Sequence, residues 1–245
     1  MVKSFTPPNC KYMAVNRFVL RSASHQKEEL VDWLALSTSA NSTSKVLLPA
    51  VRRSFIHKNN LLHRGIGAIL LRVEYNGDIA VFVHKRASSK RLFPSMWDMF
   101  IGGVSVSGES PISTLFRELE EECGLELSQE CSVKMELVKP VELNSINGVN
   151  KINLYDTIHK IQNREFSSSS EASAVLYVGD TFVKTALNHC LVSCFLVFLS
   201  TVQSERIMFR DGEIESGSWK SLAGLETTLL DHGDEDFVPD GMQVK

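Results

Sequence analysis

No apolar run in this chain is long enough to cross a bilayer as a helix. The longest, Cys190 to Leu199, is about half of the roughly 20 residues a helical span needs, so no membrane association is expected. Excess charge is also scarce. A formal net charge of -3 supplies no field for a polyanionic backbone, which argues against a nucleic-acid duplex as partner while leaving room for a nucleotide in a locally basic pocket. Cysteine is sparse and unpatterned. Cys10, Cys123, Cys131, Cys190 and Cys194 form neither a CxxC motif nor a dense framework, which excludes a disulfide-stapled scaffold and suits reduced, buried thiols in a cytoplasmic protein. Acidic residues are missing from positions 1–27, which carry Lys3, Lys11, Arg17, Arg21 and Lys27 without a secretory pattern. That bias fits either an amino-terminal extension or a transit segment for a mitochondrion or plastid.

What is present is ample apolar material: 43% hydrophobic residues in 245 suffice for one substantial core, and neither an internal repeat nor a second-domain boundary is visible. Residues 28–245 are therefore expected to form one domain. Strand-like content covers Tyr12 to Leu20, Glu28 to Leu36 is densely apolar, and the Ser/Thr/Asn-rich stretch from Ser37 to Ser44 is expected to be a loop before a strand at Val46 to Val51. Gly65 to Glu74 and Asp78 to His84 are β-branched runs, and the Asn76-Gly77 pair between them predicts a hairpin. Further strands are expected at Val133 to Leu143, Ala174 to Val178, Cys190 to Ser200 and Arg206 to Phe209, with a closing helix introduced by Trp219, Leu222 and Leu225. Residues 144–173 have the look of an insertion.

The most informative stretch is GGVSVSGESPISTLFRELEEECGL, residues 102–125. Ser110-Pro111 can open a helix and Gly124 can close it, because proline lacks only a donor that the first turn leaves unused. Ile112, Leu115, Phe116 and Leu119 recur at the offsets of a buried stripe. Glu118, Glu121 and Glu122 crowd the neighbouring arc, where like charges repel by a few tenths of a kcal/mol per pair, roughly, unless a cation intervenes. Oxygen-only ligands favour Mg²⁺ or Mn²⁺. An ordinary amphipathic helix with a wet acidic face would explain the glutamates alone, but not the surrounding spacing.

That spacing is Gly103, five residues, Glu109, seven residues, Arg117-Glu118-Leu119, one residue, Glu121-Glu122, one residue, Gly124-Leu125. At every defining position it resembles the box of the Nudix hydrolase superfamily. The resemblance implies an α/β fold, an α/β/α sandwich around a mixed β-sheet, and Mg²⁺-dependent (or Mn²⁺-dependent) hydrolysis of a diphosphate linkage in a small molecule, by a monomer or homodimer. It implies Glu118, Glu121 and Glu122 as metal ligands, with Glu213 or Glu215 from a later loop completing the set. Glu118 is either a third ligand or the base that activates water. Arg117 holds a carboxylate, Glu109 or Glu121, while Gly102, Gly103, Glu109 and Gly124 shape the box. Arg86 and Lys90 are the substrate-phosphate candidates by the same resemblance. Arg53-Ser54, His57, His63-Arg64 and Phe93 to Asp98, with Trp97 as a packing residue, are similar to the branch that includes isopentenyl diphosphate isomerase. Yet Asp98 to Gly103 contains no cysteine where that isomerase has one. The alternatives are thus isomerisation, or a catalytically silent nucleotide-binding module.

Overall fold

The two edges of β3 (His63–Val73) are used differently, and this sets the shape of the sheet. One edge runs parallel to β8 (His189–Leu199), from His63 opposite Cys190 to Arg72 opposite Leu199. The other is shared in succession by β1 (Leu30–Ser39) at His63, by Val104 at Gly65, by β6 (Phe100–Ile101) at Ala68 and Ile69, and by β4 (Ile79–Arg86) at Leu71 to Val73. The opposite edge of β4 pairs with β9 (Ile214–Ser221) from Ala80 to Arg86, while beyond Val81 the edge that has left β3 pairs with β5 (Trp97–Asp98) at His84 and Lys85. β7 (Ala174–Lys184) lies antiparallel on β8, and β2 (Ser42–Arg52) on β1. The computed structural model describes residues 28–39, 42–127, 174–185, 188–231 and 236–238.

Helices cover both faces of this mixed sheet. α1 (Arg53–Lys58) follows β2, α2 (Pro111–Cys123) follows β6, α3 (Thr201–Ser204) follows β8 and α4 (Leu222–Asp231) follows β9. Alternation along β3 divides the core: Ala68 and Leu70 pack with Leu115 and Leu119 of α2, whereas Ile69 and Leu71 pack with Leu225 of α4 and with Phe237. Leu115 and Leu119 are fully buried, which contributes about 2 kcal/mol each to holding α2 on the sheet. The architecture is the expected α/β sandwich. None of the described helices is long and apolar enough to cross a membrane.

Several elements differ from expectation. Only positions 40–41 separate the strands of the first hairpin, because Ser37 pairs with Ser44 and Ser39 with Ser42, so the polar stretch is ladder rather than loop. Arg206 to Phe209 is not a strand. It follows α3 as extended chain whose Met208 N–H donates to Cys123 O at 2.9 Å while Ile207 and Phe209 pack into the core. Trp219 lies within β9, opposite Phe82, and the helix begins at Leu222. Cys123, Cys190 and Cys194 are buried thiols outside any disulfide. Positions 1–27, Cys131, Val133 to Leu143 and the insertion at 144–173 lie outside the described residues.

Candidate active site

The chain that leads into α2 is folded around one arginine. Arg117 spends all five N–H donors: Nε and Nη2 on the two Glu109 oxygens at 2.9 and 3.1 Å, Nη2 also on Val104 O at 3.0 Å, and Nη1 on Glu118 Oε1 at 2.7 Å and Glu121 Oε2 at 3.0 Å. Burial alone would raise the pKa of Glu109. The Arg117 hydrogen bonds and the Val106 N–H, at 3.0 Å, hold it below the usual carboxylate range instead. The loop is gripped from outside by β1, where Asp32 accepts from Ser107 Oγ at 2.7 Å and Gly108 N–H at 3.1 Å, and Leu30 O accepts from Ser107 N–H at 2.8 Å.

Gly102 and Gly103 are glycines for a steric reason. A Cβ on Gly102 would stand 2.2 Å from Ile66 O, and one on Gly103 would stand 2.2 Å from Glu118 Oε1. The absence of side chains lets the loop press against β3 and against the carboxylate of α2. The helix begins at Ser110, whose Oγ accepts from Ser113 N–H at 3.2 Å, and ends at Gly124, whose φ of 65° is the left-handed cap that glycine adopts freely.

The three glutamates of α2 fall into two groups. Glu118 and Glu122, one turn apart, belong to the face that packs inward and are 8% and 6% exposed, whereas the Glu121 side chain is 54% exposed. Glu122 meets Asp211 and Glu213, with carboxylate oxygens all within 4.8 Å of one another. The turn before β9 brings that pair in: Gly212 has a φ of 76°, and Asp211 Oδ1 accepts the Glu213 N–H at 2.8 Å. Among the described residues this is the cluster of carboxylates able to hold a divalent cation, and it includes neither Glu118 nor Glu121 nor the exposed Glu215. Burial, then the charges of Glu118 and Glu213, push the Glu122 pKa well up, against the pull of Lys90. Burial likewise lifts Glu118 to about 7, with Arg117 opposing. A hard cation fits this donor set, since three carboxylates brought together, with Glu122 buried, Glu213 half-buried and Asp211 exposed, need positive charge.

Lys90 already supplies some, because its Nζ donates to Glu213 Oε2. Arg86 is committed differently, to Asp98 Oδ2 and Leu92 O at 3.3 Å each. A cavity of about 700 Å³ opens beside the cluster, where Gly102, Gly103, Asp211 and Glu213 face Arg53, Arg86, Lys90 and Arg91, and Phe100, Val183 and Val192 form apolar wall. Sequence reasoning missed Asp211, although its place two residues before Glu213 with a glycine between is a turn signal. It also missed Asp32, which no local pattern connects to the loop it holds.

A glycine-shaped loop, an acidic helix and a carboxylate cluster beside a cation-rimmed cavity define a domain equipped to hold a divalent metal ion. The chain matches the NUDIX domain model over residues 61–145, a span that takes in β3 through α2. It is similar to an uncharacterized Nudix hydrolase of Streptomyces coelicolor, SCO1686, at 52% identity over 44 residues, covering 18% of this chain and 24% of that protein. With PA4841, an uncharacterized Nudix hydrolase of Pseudomonas aeruginosa, identity is 32% over 78 residues, covering 32% of this chain and 44% of the relative. The chain thus spans less than half the length of the curated relatives it matches. Among solved structures, DR0079 from Deinococcus radiodurans aligns over 88% of this chain and 97% of its own, with a TM-score of 0.47 and 17% identity.

Proposed function

We propose that this protein is a Mg²⁺- or Mn²⁺-dependent hydrolase that opens a diphosphate linkage in a small organic molecule. The observation that carries this reading is the convergence of Glu122, Asp211 and Glu213 within 4.8 Å beside the cation-rimmed cavity. Those three residues would hold the divalent ion, which when bound offsets the charge of the diphosphate and of its leaving phosphate. Arg86 and Lys90 orient the substrate phosphates, with Arg53 and Arg91 on the same rim. Glu118, with its pKa near 7, takes a proton from the attacking water. The water oxygen bonds to phosphorus, the P–O bond to the bridging oxygen breaks, and two phosphate products leave. Arg117 acts as a positioning residue, fixing Glu118 while keeping Glu121 outside the cluster.

Isomerisation of a carbon skeleton has weaker support, because among the described residues the thiols on the cavity wall are Cys190 and Cys194, and burial pushes Cys194 up to about 12. The test is a panel of nucleoside diphosphate sugars, dinucleotides, oxidised nucleotides, coenzyme A and isoprenoid diphosphates, incubated with Mg²⁺ or Mn²⁺ and resolved by mass spectrometry. Phosphate-containing cleavage products that disappear with chelator and with Asp211→Asn are expected. Undiminished cleavage in chelator or by the folded variant, or binding without cleavage across the panel, would overturn the reading.

A further inference from the structure

The loop that carries the first half of the box is held by a different strand at each end. At Gly103 and Ser105 the holds come from β3: Ile66 N–H donates to Gly103 O at 2.9 Å, and Ser105 N–H donates to Arg64 O at 3.0 Å. At Ser107 and Gly108 they come from β1: Ser107 N–H donates to Leu30 O at 2.8 Å, Ser107 Oγ to Asp32 Oδ1 at 2.7 Å, and Gly108 N–H to Asp32 Oδ2 at 3.1 Å. Asp32 thus reaches across 75 positions of chain to a turn that gains from an outside hold. Gly108 has a φ of 82°, and a glycine there leaves the turn free to take other shapes when nothing fixes it. A carboxylate suits the task, since its two oxygens accept from neighbouring donors at once, whereas an amide has one oxygen and adds donors of its own.

The groups between these anchors are the ones that hold Arg117. Val104 O accepts from Nη2 at 3.0 Å, and Glu109 accepts from Nε at 2.9 Å and from Nη2 at 3.1 Å. Glu109 depends on the turn twice over: its N–H donates to Val106 O at 3.0 Å, and its Oε2 accepts from Val106 N–H at the same distance. The turn tied by Asp32 therefore sets where Glu109 stands, and Glu109 sets the guanidinium. That guanidinium donates to Glu118 Oε1 at 2.7 Å.

Resting on the hydrolase reading above, we propose that Asp32 is a positioning residue for water attack: by tying the turn at Ser107 and Gly108 it fixes Glu109 and Arg117, and through them the Glu118 carboxylate. Asp32 belongs neither to the carboxylate cluster nor to the cavity wall, so it acts through other residues. Its bonds lie at the surface, where water can replace them. Their loss therefore costs little in global stability and falls on the geometry of the loop. The first hairpin, which meets β3 at Trp33 and His63, in this way serves the site as well as the sheet.

Steady-state kinetics in Mg²⁺ test this, on the compound of the panel above that the parent cleaves fastest. Asp32→Ala is expected to lower kcat at least about tenfold, with KM changed less than about twofold and the melting temperature lowered by less than about 4 °C. The readout that a merely structural role would not produce is the cycle with Glu118→Gln. Once the base is gone, Asp32→Ala is expected to lower the remaining turnover by less than about twofold, whereas a general loosening of the loop would lower it by the same factor again. Should Asp32→Ala not fold, Ser107→Ala carries the test: it removes one of the two side-chain bonds and is expected to lower kcat at least about threefold at unchanged KM. Unchanged kcat in the folded variant, a rise in KM alone, or the full loss repeated in the Glu118→Gln background would overturn the proposal. A parent that cleaves nothing on the panel would overturn the hydrolase reading and this inference with it, whereas an active parent with an unaffected variant would overturn this inference alone.

Discussion

Adding one methyl group at Gly103 tests whether the box loop is shaped around the Glu118 carboxylate. In Gly103→Ala the new Cβ would lie 2.2 Å from Glu118 Oε1, 2.4 Å from Cδ and 2.7 Å from Oε2, so the carboxylate must move. A free glutamate would swing away at little cost. Glu118 is 8% exposed, tied to Arg117 at 2.7 Å, and one turn from the buried Glu122, so retreat breaks a charge-assisted hydrogen bond and finds no water. Loss of that bond is worth about 1.5 to 3 kcal/mol, comparable with the general cost of overpacking. Misplacing Glu118 by about 1 Å would lower turnover about 100-fold. Gly108→Ala is the control in the same loop, since no atom lies within 4 Å of the added Cβ, and its positive φ of 82°, which Gly103 does not have, is expected to cost only about 1 to 2 kcal/mol of backbone preference. Urea unfolding of Gly103→Ala, Glu118→Ala and the double variant closes a cycle. A coupling of at least about 1 kcal/mol is expected, with the alanine at Gly103 better tolerated once Glu118 is gone. A coupling under about 0.5 kcal/mol would refute the steric account.

Two further perturbations read the electrostatics. Glu122→Gln removes a buried carboxylate that burial, Glu118 and Glu213 all disfavour, so the metal-free variant should melt higher than the parent at neutral pH while losing the upward shift that Mg²⁺ gives the parent. A lower melting temperature without metal, or an unchanged Mg²⁺ response, would contradict the cluster. Asp98 is 6% exposed, and burial raises its pKa to about 6, with the Phe100 N–H and Arg86 opposing. Because the folded state holds this proton more tightly than the unfolded chain, stability from this group is largest below pH 3.8 and is lost as pH rises to about 6. Denaturant titrations at pH 4 and pH 7 should therefore show Asp98→Asn missing a decline of about 2 to 3 kcal/mol present in the parent. Parallel pH profiles for parent and variant would show that Asp98 does not titrate in this range.

Where the sequence and the structure agree, the determining interactions are short in range. The ends of α2 were legible because a serine cap, a proline at the first position and a glycine in the left-handed region act within a turn of themselves. The hairpin at Asn76-Gly77 was legible for the same reason: Gly77 has a φ of 85° and Asn76 Oδ1 accepts the Asp78 N–H at 3.0 Å. Arg206 to Phe209 misled because alternation reports burial rather than ladder pairing, and Ile207 and Phe209 gain their burial from a loop that crosses the end of α2. β9 was hidden for the opposite reason. Its Glu-Ser-Gly-Ser-Trp-Lys-Ser run is polar because among the described residues it pairs with β4 alone and is largely exposed, so no apolar pattern marks it.

The site shows the same division at higher stakes. Glutamate spacing identified a shared arc but grouped Glu121 with Glu118 and Glu122, whereas the α2 face covering the sheet includes Glu118 and Glu122 along with Leu115, Leu119 and Cys123. Which glutamate leaves the group was set by Arg117, whose fifth donor draws Glu121 outward. The partners of Glu122 come from a turn far along the chain, placed by pairing between β9 and β4 that the polar sequence of β9 conceals. A carboxylate cluster of this kind is destabilising until a cation joins it. Lys90 on Glu213 marks how far the chain itself goes toward supplying that charge: one ammonium against three carboxylates leaves the cluster short of neutral by a divalent ion's worth.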